Sequence, residues 1–107
     1  MSIDWQAVEQ EVTVYLQDLI RCDTTNPPGN EILCANYIAD VLAREGIDSA
    51  MSESEPGRGN VTARLSGGDE PALMLLGHTD VVAVEPDKWS RPPFGGDLHN
   101  DYIWGRG

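Results

Sequence analysis

The segment Ala72–Val82, ALMLLGHTDVV, sets the architecture expected of this chain. Its first five residues are apolar. They follow Glu70-Pro71 and stop at Gly77, which is the length and punctuation of a fully buried strand. His78, Thr79 and Asp80 come directly after, three polar side chains that a buried strand would not carry for packing. α/β proteins collect ligands where strands end at their carboxyl edge. On an extended backbone, residues two apart face the same way, so His78 and Asp80 are expected to point into one space.

That pairing has a chemical use. A neutral imidazole is a common metal ligand, and its second nitrogen needs an acceptor to fix tautomer and ring orientation. Asp80 is placed to be that acceptor, or to sit beside a metal-bound water. The same two residues also suit a plain role, capping the strand end and bonding the loop that follows. The residues alone leave both readings open.

Composition narrows the class. At 107 residues there is room for one domain. Eighteen acidic residues against seven basic give a net charge of −11, which should repel nucleic acid and anionic membranes. The first residues, MSIDWQAVEQEV, lack the basic and apolar regions of a signal peptide, and no run is long enough to span a bilayer. A cytoplasmic location is therefore expected. Cys22 and Cys34 form no CxxC and read as reduced, small hydrophobes.

Outward from the central segment, apolar periodicity predicts two helices. Trp5, Val8, Val12, Leu16, Leu19 and Ile20 define the buried face of the first, with Ser2 as its N-cap and Asp4 in its first turn. Asp23–Gly29 (DTTNPPG) is a stiff loop, since consecutive prolines forbid helix. Asn30 is the expected cap of the second helix. Leu33, Tyr37, Ile38, Val41 and Leu42 form its buried face, and Gly46 stands just past its end. Ile47–Glu53 alternates weakly, as an exposed strand would. Asn60–Leu65 alternates cleanly and is expected to be half-buried. It should turn through Ser66–Pro71 into the central strand as an antiparallel hairpin. Val81–Pro93 is a long loop, of the kind that often walls a site. Asp97–His99 and Tyr102–Trp104 form two short strands around a turn at Asn100-Asp101. His99 reads as a solvated turn residue. Trp89, Phe94 and Trp104 read as packing groups. Arg106, between two glycines, either pairs with Asp80 or a neighbouring carboxylate or caps a turn; the flanking glycines favour the structural role.

Taken together, several pieces resemble one family in its order along the chain. Thr25-Asn26-Pro27-Pro28-Gly29-Asn30-Glu31 lies between the helices, and Gly57-Arg58-Gly59-Asn60-Val61 opens a strand. Gly77-His78-Thr79-Asp80-Val81-Val82, Trp89, Pro92-Pro93-Phe94 and Tyr102-Ile103-Trp104-Gly105-Arg106-Gly107 follow. The set strongly resembles the M20 family of metallopeptidases, which includes acetylornithine deacetylase, succinyl-diaminopimelate desuccinylase, aminoacylase and carboxypeptidase types. The resemblance covers almost the whole chain.

It implies an α/β fold: the N-terminal part of a zinc-peptidase-like catalytic domain, two helices followed by a β-hairpin and a central strand, with the sheet incomplete. Residues 1–107 would be one portion of the metal-dependent catalytic domain, with the rest of that domain and a dimerisation domain lying outside the chain. By the same resemblance His78 is a metal ligand, and Asp80, which orients it, counts among the catalytic residues. The cofactor would be zinc, two ions per complete site, with cobalt as a substitute. The activity implied is hydrolysis of an amide bond in an N-acyl amino acid or small peptide, by a homodimeric complete enzyme. The other metal ligands and the general base would lie beyond Gly107, so the chain alone is expected to be inactive. The alternative is a non-catalytic product, either a degenerate fragment or a protein that binds a partner. A metal-free α/β hydrolase is disfavoured, because no G-x-S-x-G elbow is present.

Overall fold

A computed structural model describes all residues, Met1–Gly107. The chain divides into two compact units, one formed by Met1–Asp23 with Val82–Gly107 and the other by Thr24–Val81. No helix in either is long and apolar enough to cross a membrane.

In the first unit, α1 spans Trp5–Arg21. Its N-cap is Asp4 and not Ser2: one Asp4 carboxylate oxygen accepts from the amides of Gln6 and Ala7, each at 3.1 Å. An acceptor-only side chain satisfies two of the amides that every helix start leaves free. Two short strands, β1 (Asp97–His99) and β2 (Tyr102–Trp104), pair antiparallel as expected, with Leu98 opposite Ile103. Asn100 and Asp101 both take positive φ, 51° and 63°, the two-residue hairpin turn that Asn and Asp tolerate best. Arg91 stacks over Trp104, 5.6 Å from the ring centroid.

This unit is closed around the last turns of α1. Gln17 donates to the Gly96 carbonyl at 2.7 Å and Arg21 to the Gly95 carbonyl at 3.0 Å. Gly96, at φ +63°, lies flush on the Gln17 backbone, where an added Cβ would come within 2.9 Å of the Gln17 carbonyl oxygen. Gly105 sits closer still to Ile20, the one buried residue of the helix. Earlier along the same face, Trp5, Val8, Val12 and Leu16 are exposed. The amphipathic pattern is real, but only its C-terminal end is covered.

In the second unit, α2 spans Ile32–Arg44. Its start is capped by backbone and not by the Asn30 side chain. The Ile32 amide donates to the Gly57 carbonyl and the Leu33 amide to that of Asn30, each at 3.0 Å. Gly46, at φ +72°, closes the other end, donating to the Ala43 carbonyl. Two strands, β3 (Ser49–Glu53) and β4 (Gly59–Ala63), form an antiparallel hairpin packed on α2. Gly59 permits the close approach: a Cβ there would stand 2.7 Å from the Ile32 Cα. Cys34 and Ala35 are buried beneath, and neither cysteine is in a disulfide.

Glu31, 6% exposed, receives the Arg58 Nε on both carboxylate oxygens, at 2.8 and 2.9 Å. This ion pair fastens the loop before α2 to the β3–β4 connection.

The expected central strand does not form. The α/β character and the incomplete sheet stand, but Ala72–Leu76 carries no ladder, and its leucines and methionine are 82–91% exposed. Nor does Asn60–Leu65 turn into it. That strand pairs instead with the weakly alternating segment before it. The cause is locality: β3 and β4 meet across a short connection, and α2 covers them. No strand within the unit is left to flank the apolar run.

Candidate functional site

Where Ala72–Leu76 ends, the chain becomes anchored. The Thr24 hydroxyl donates to the Thr79 carbonyl at 2.5 Å. The Val81 amide donates to the Thr24 carbonyl at 3.2 Å, and the Asn26 amide to the Val81 carbonyl at 2.8 Å. Thr25 and Val81 thus form a parallel bridge. Thr24 is 1% exposed. The segment that was expected to be held by a sheet is held by the DTTN loop instead.

Within this frame His78 and Asp80 converge, as the extended-backbone argument requires. His78 Nδ1 lies 3.0 Å from Asp80 Oδ1 and 3.1 Å from the Asp80 carbonyl oxygen. The other carboxylate oxygen, Oδ2, accepts from Asn26 Nδ2 at 3.2 Å. Hydrogen bonds from Asn26 and then from His78 hold the Asp80 carboxyl below its ordinary pKa. An ionised carboxylate only accepts, so in the neutral ring the proton resides on Nδ1. Nε2 is thereby left with its lone pair outward, on a side chain that is 85% exposed.

A metal-ligating imidazole uses the same donor state, one nitrogen bonded to a carboxylate and the other open. His78 fits one ligand position. No group of three or more His, Cys, Asp or Glu side chains is gathered as a full metal cage would need.

The other candidates take plain roles. His99 pairs with Tyr102 in the β1–β2 hairpin, and its carbonyl accepts from the Trp104 indole at 3.2 Å. Arg106 caps the Val82 carbonyl with both Nε and Nη2, which is the structural alternative of the two expected for it. The residue that sequence reasoning missed is Asn26. The loop was legible as stiff, and the polar run Thr24-Thr25-Asn26 ahead of two prolines is the signal that its side chains have fixed work.

No family model matches the chain. Among curated proteins it is similar to "Probable succinyl-diaminopimelate desuccinylase" of Staphylococcus aureus, 36% identical over 100 residues, and of Staphylococcus epidermidis, at 34%. It is also similar to "Succinyl-diaminopimelate desuccinylase" of Methylorubrum extorquens, 38% identical over 96 residues. These matches cover 85–92% of the chain and 24% of each relative. The chain is therefore similar to these desuccinylases over most of its own length, in line with the resemblance carried by its motifs. It spans about a quarter of the length of the curated relatives it matches.

Proposed function

We propose that this chain is part of the catalytic domain of a metal-dependent hydrolase that cleaves the amide bond of an N-acyl amino acid. N-succinyl-diaminopimelate, the substrate in the relatives' names, is the first candidate. The observation that carries the reading is the His78–Asp80 pair, with Nδ1 bonded to the carboxylate and Nε2 free. Nε2 would hold a zinc ion, or cobalt in its place, and Asp80 would keep the ring aimed and basic. When bound, a divalent cation supplies Lewis-acid polarisation of the scissile carbonyl. The remaining ligands and the general base are assigned to the part of the enzyme outside residues 1–107, as is a dimerisation domain. Supporting this are the relatives' fourfold greater length and the single imidazole at this site.

The chain alone is expected to retain no stoichiometric zinc on dialysis and to hydrolyse nothing, since tight zinc sites draw their roughly 10–16 kcal/mol from about four ligands. A chimera gives the positive test. The matching quarter of the Staphylococcus aureus relative is replaced by this chain, and N-succinyl-diaminopimelate hydrolysis is measured. The chimera should be active, His78→Ala should abolish turnover, and Asp80→Ala should cost about 10–100-fold, as loss of an orienting partner typically does. Full activity in the His78→Ala chimera would refute the assignment.

A further inference from the structure

We infer that Asn26 is a positioning residue for the proposed metal ligand, acting through Asp80 to set which nitrogen of His78 carries the proton. The inference rests on the reading of His78 as a ligand and extends it to a residue in a different part of the sequence.

Packing does not hold the imidazole. The His78 side chain is 85% exposed and that of Asp80 is 38% exposed, so ring orientation has to come from hydrogen bonds. The terminal torsion of an aspartate is soft. With only His78 bonded, the carboxylate could rotate and swing Oδ1 away from Nδ1, leaving the ring only the neutral Asp80 carbonyl oxygen, at 3.1 Å, in place of a charged acceptor. Asn26 removes that freedom by taking Oδ2 while His78 takes Oδ1. Two acceptor atoms, each with its own donor, define the carboxylate plane.

Asn26 is itself well placed to do this. Its backbone amide is bonded to Val81, the residue after Asp80, and the Thr24 hydroxyl is bonded to Thr79, the residue before it. Pro27 and Pro28 stiffen the chain immediately beyond. The Asn26 amide is thus carried by a segment pinned on both sides of the carboxylate it addresses. Because that carboxylate only accepts, the orientation with Nδ2 toward Asp80 is the one that forms a bond.

The test reads the imidazole nitrogens directly. Long-range proton–nitrogen NMR of the 107-residue chain, at mildly alkaline pH where an ordinary imidazole is neutral, distinguishes the Nδ1–H from the Nε2–H form. The unaltered chain should show His78 predominantly as Nδ1–H. Asn26→Asp, which keeps the shape but replaces a donor with an acceptor, should shift the ring toward Nε2–H, and Asn26→Ala should do the same. The Val81 amide signal reports in both variants that the loop remains docked. An unaltered chain without Nδ1–H dominance overturns the inference before any variant is made. So does an unchanged tautomer in a docked Asn26→Asp variant. Failure of the underlying reading looks different: the tautomer follows Asn26 as expected in the chain, but the His78→Ala chimera hydrolyses N-succinyl-diaminopimelate as fast as the unaltered chimera.

Discussion

Asp80 is bonded through both carboxylate oxygens, and its acid behaviour follows from that. Asn26 is the larger cause of its lowered pKa and His78 the next. The unfolded chain then binds this proton more readily than the folded one, so the group's contribution to stability is complete above the ordinary value of about 3.9. It is lost as pH falls through the lower folded value. Carbon-13 titration of the Asp80 carboxyl should give a midpoint below the ordinary one, and Asn26→Ala should move it upward. A midpoint at or above the ordinary value would show that the two bonds do not form in solution. The His78–Asp80 pair was legible in the sequence because period-two geometry needs only local backbone. Asn26 was not, because its partner lies 54 positions away and no local pattern encodes that meeting.

Among the elements, the helices and the strands were readable, since amphipathic spacing and turn chemistry are local signals. Cap identities were less so. Asp4 displaced Ser2, and at α2 a carbonyl from Gly57 served where the Asn30 side chain was expected, because a neighbouring loop can supply what the sequence assigns to a side chain. The Glu31–Arg58 pair is the corresponding long-range feature on the energetic side. Arg58→Ala would leave the Glu31 carboxylate buried with no cation, at a cost on the order of 2 kcal/mol, discounted because Arg58 is about one-third exposed. A lower urea midpoint and faster hydrogen exchange at the Ile32 amide would register it. Arg58→Lys should recover only part, because the bonds to Glu31 come from Nε, inside the guanidinium, a position that a terminal ammonium does not reproduce.

For the whole molecule, the largest departure from expectation is the exposed run Leu73–Leu76. A five-residue apolar segment predicts burial, because burial is what such runs ordinarily achieve. Composition, however, says nothing about whether the flanking strands belong to the same chain. Exposed apolar runs with free backbone groups promote self-association. Sedimentation of the purified chain should therefore show mass rising with concentration, and Leu75→Lys should suppress the rise without disturbing the His78 signals. A monomer at all concentrations would mean that this run is covered in solution.

The bridge between Thr25 and Val81 has one more implication. Together with the bond from the Val81 amide to the Thr24 carbonyl, it brings the two ends of the Thr24–Val81 unit side by side, so in topology that unit is a closed excursion of the polypeptide. Asn26, His78 and Asp80 all ride on it. An excised peptide covering those positions would carry the entire triad with its two termini already adjacent, a natural starting point for cyclisation or for grafting this imidazole onto another scaffold.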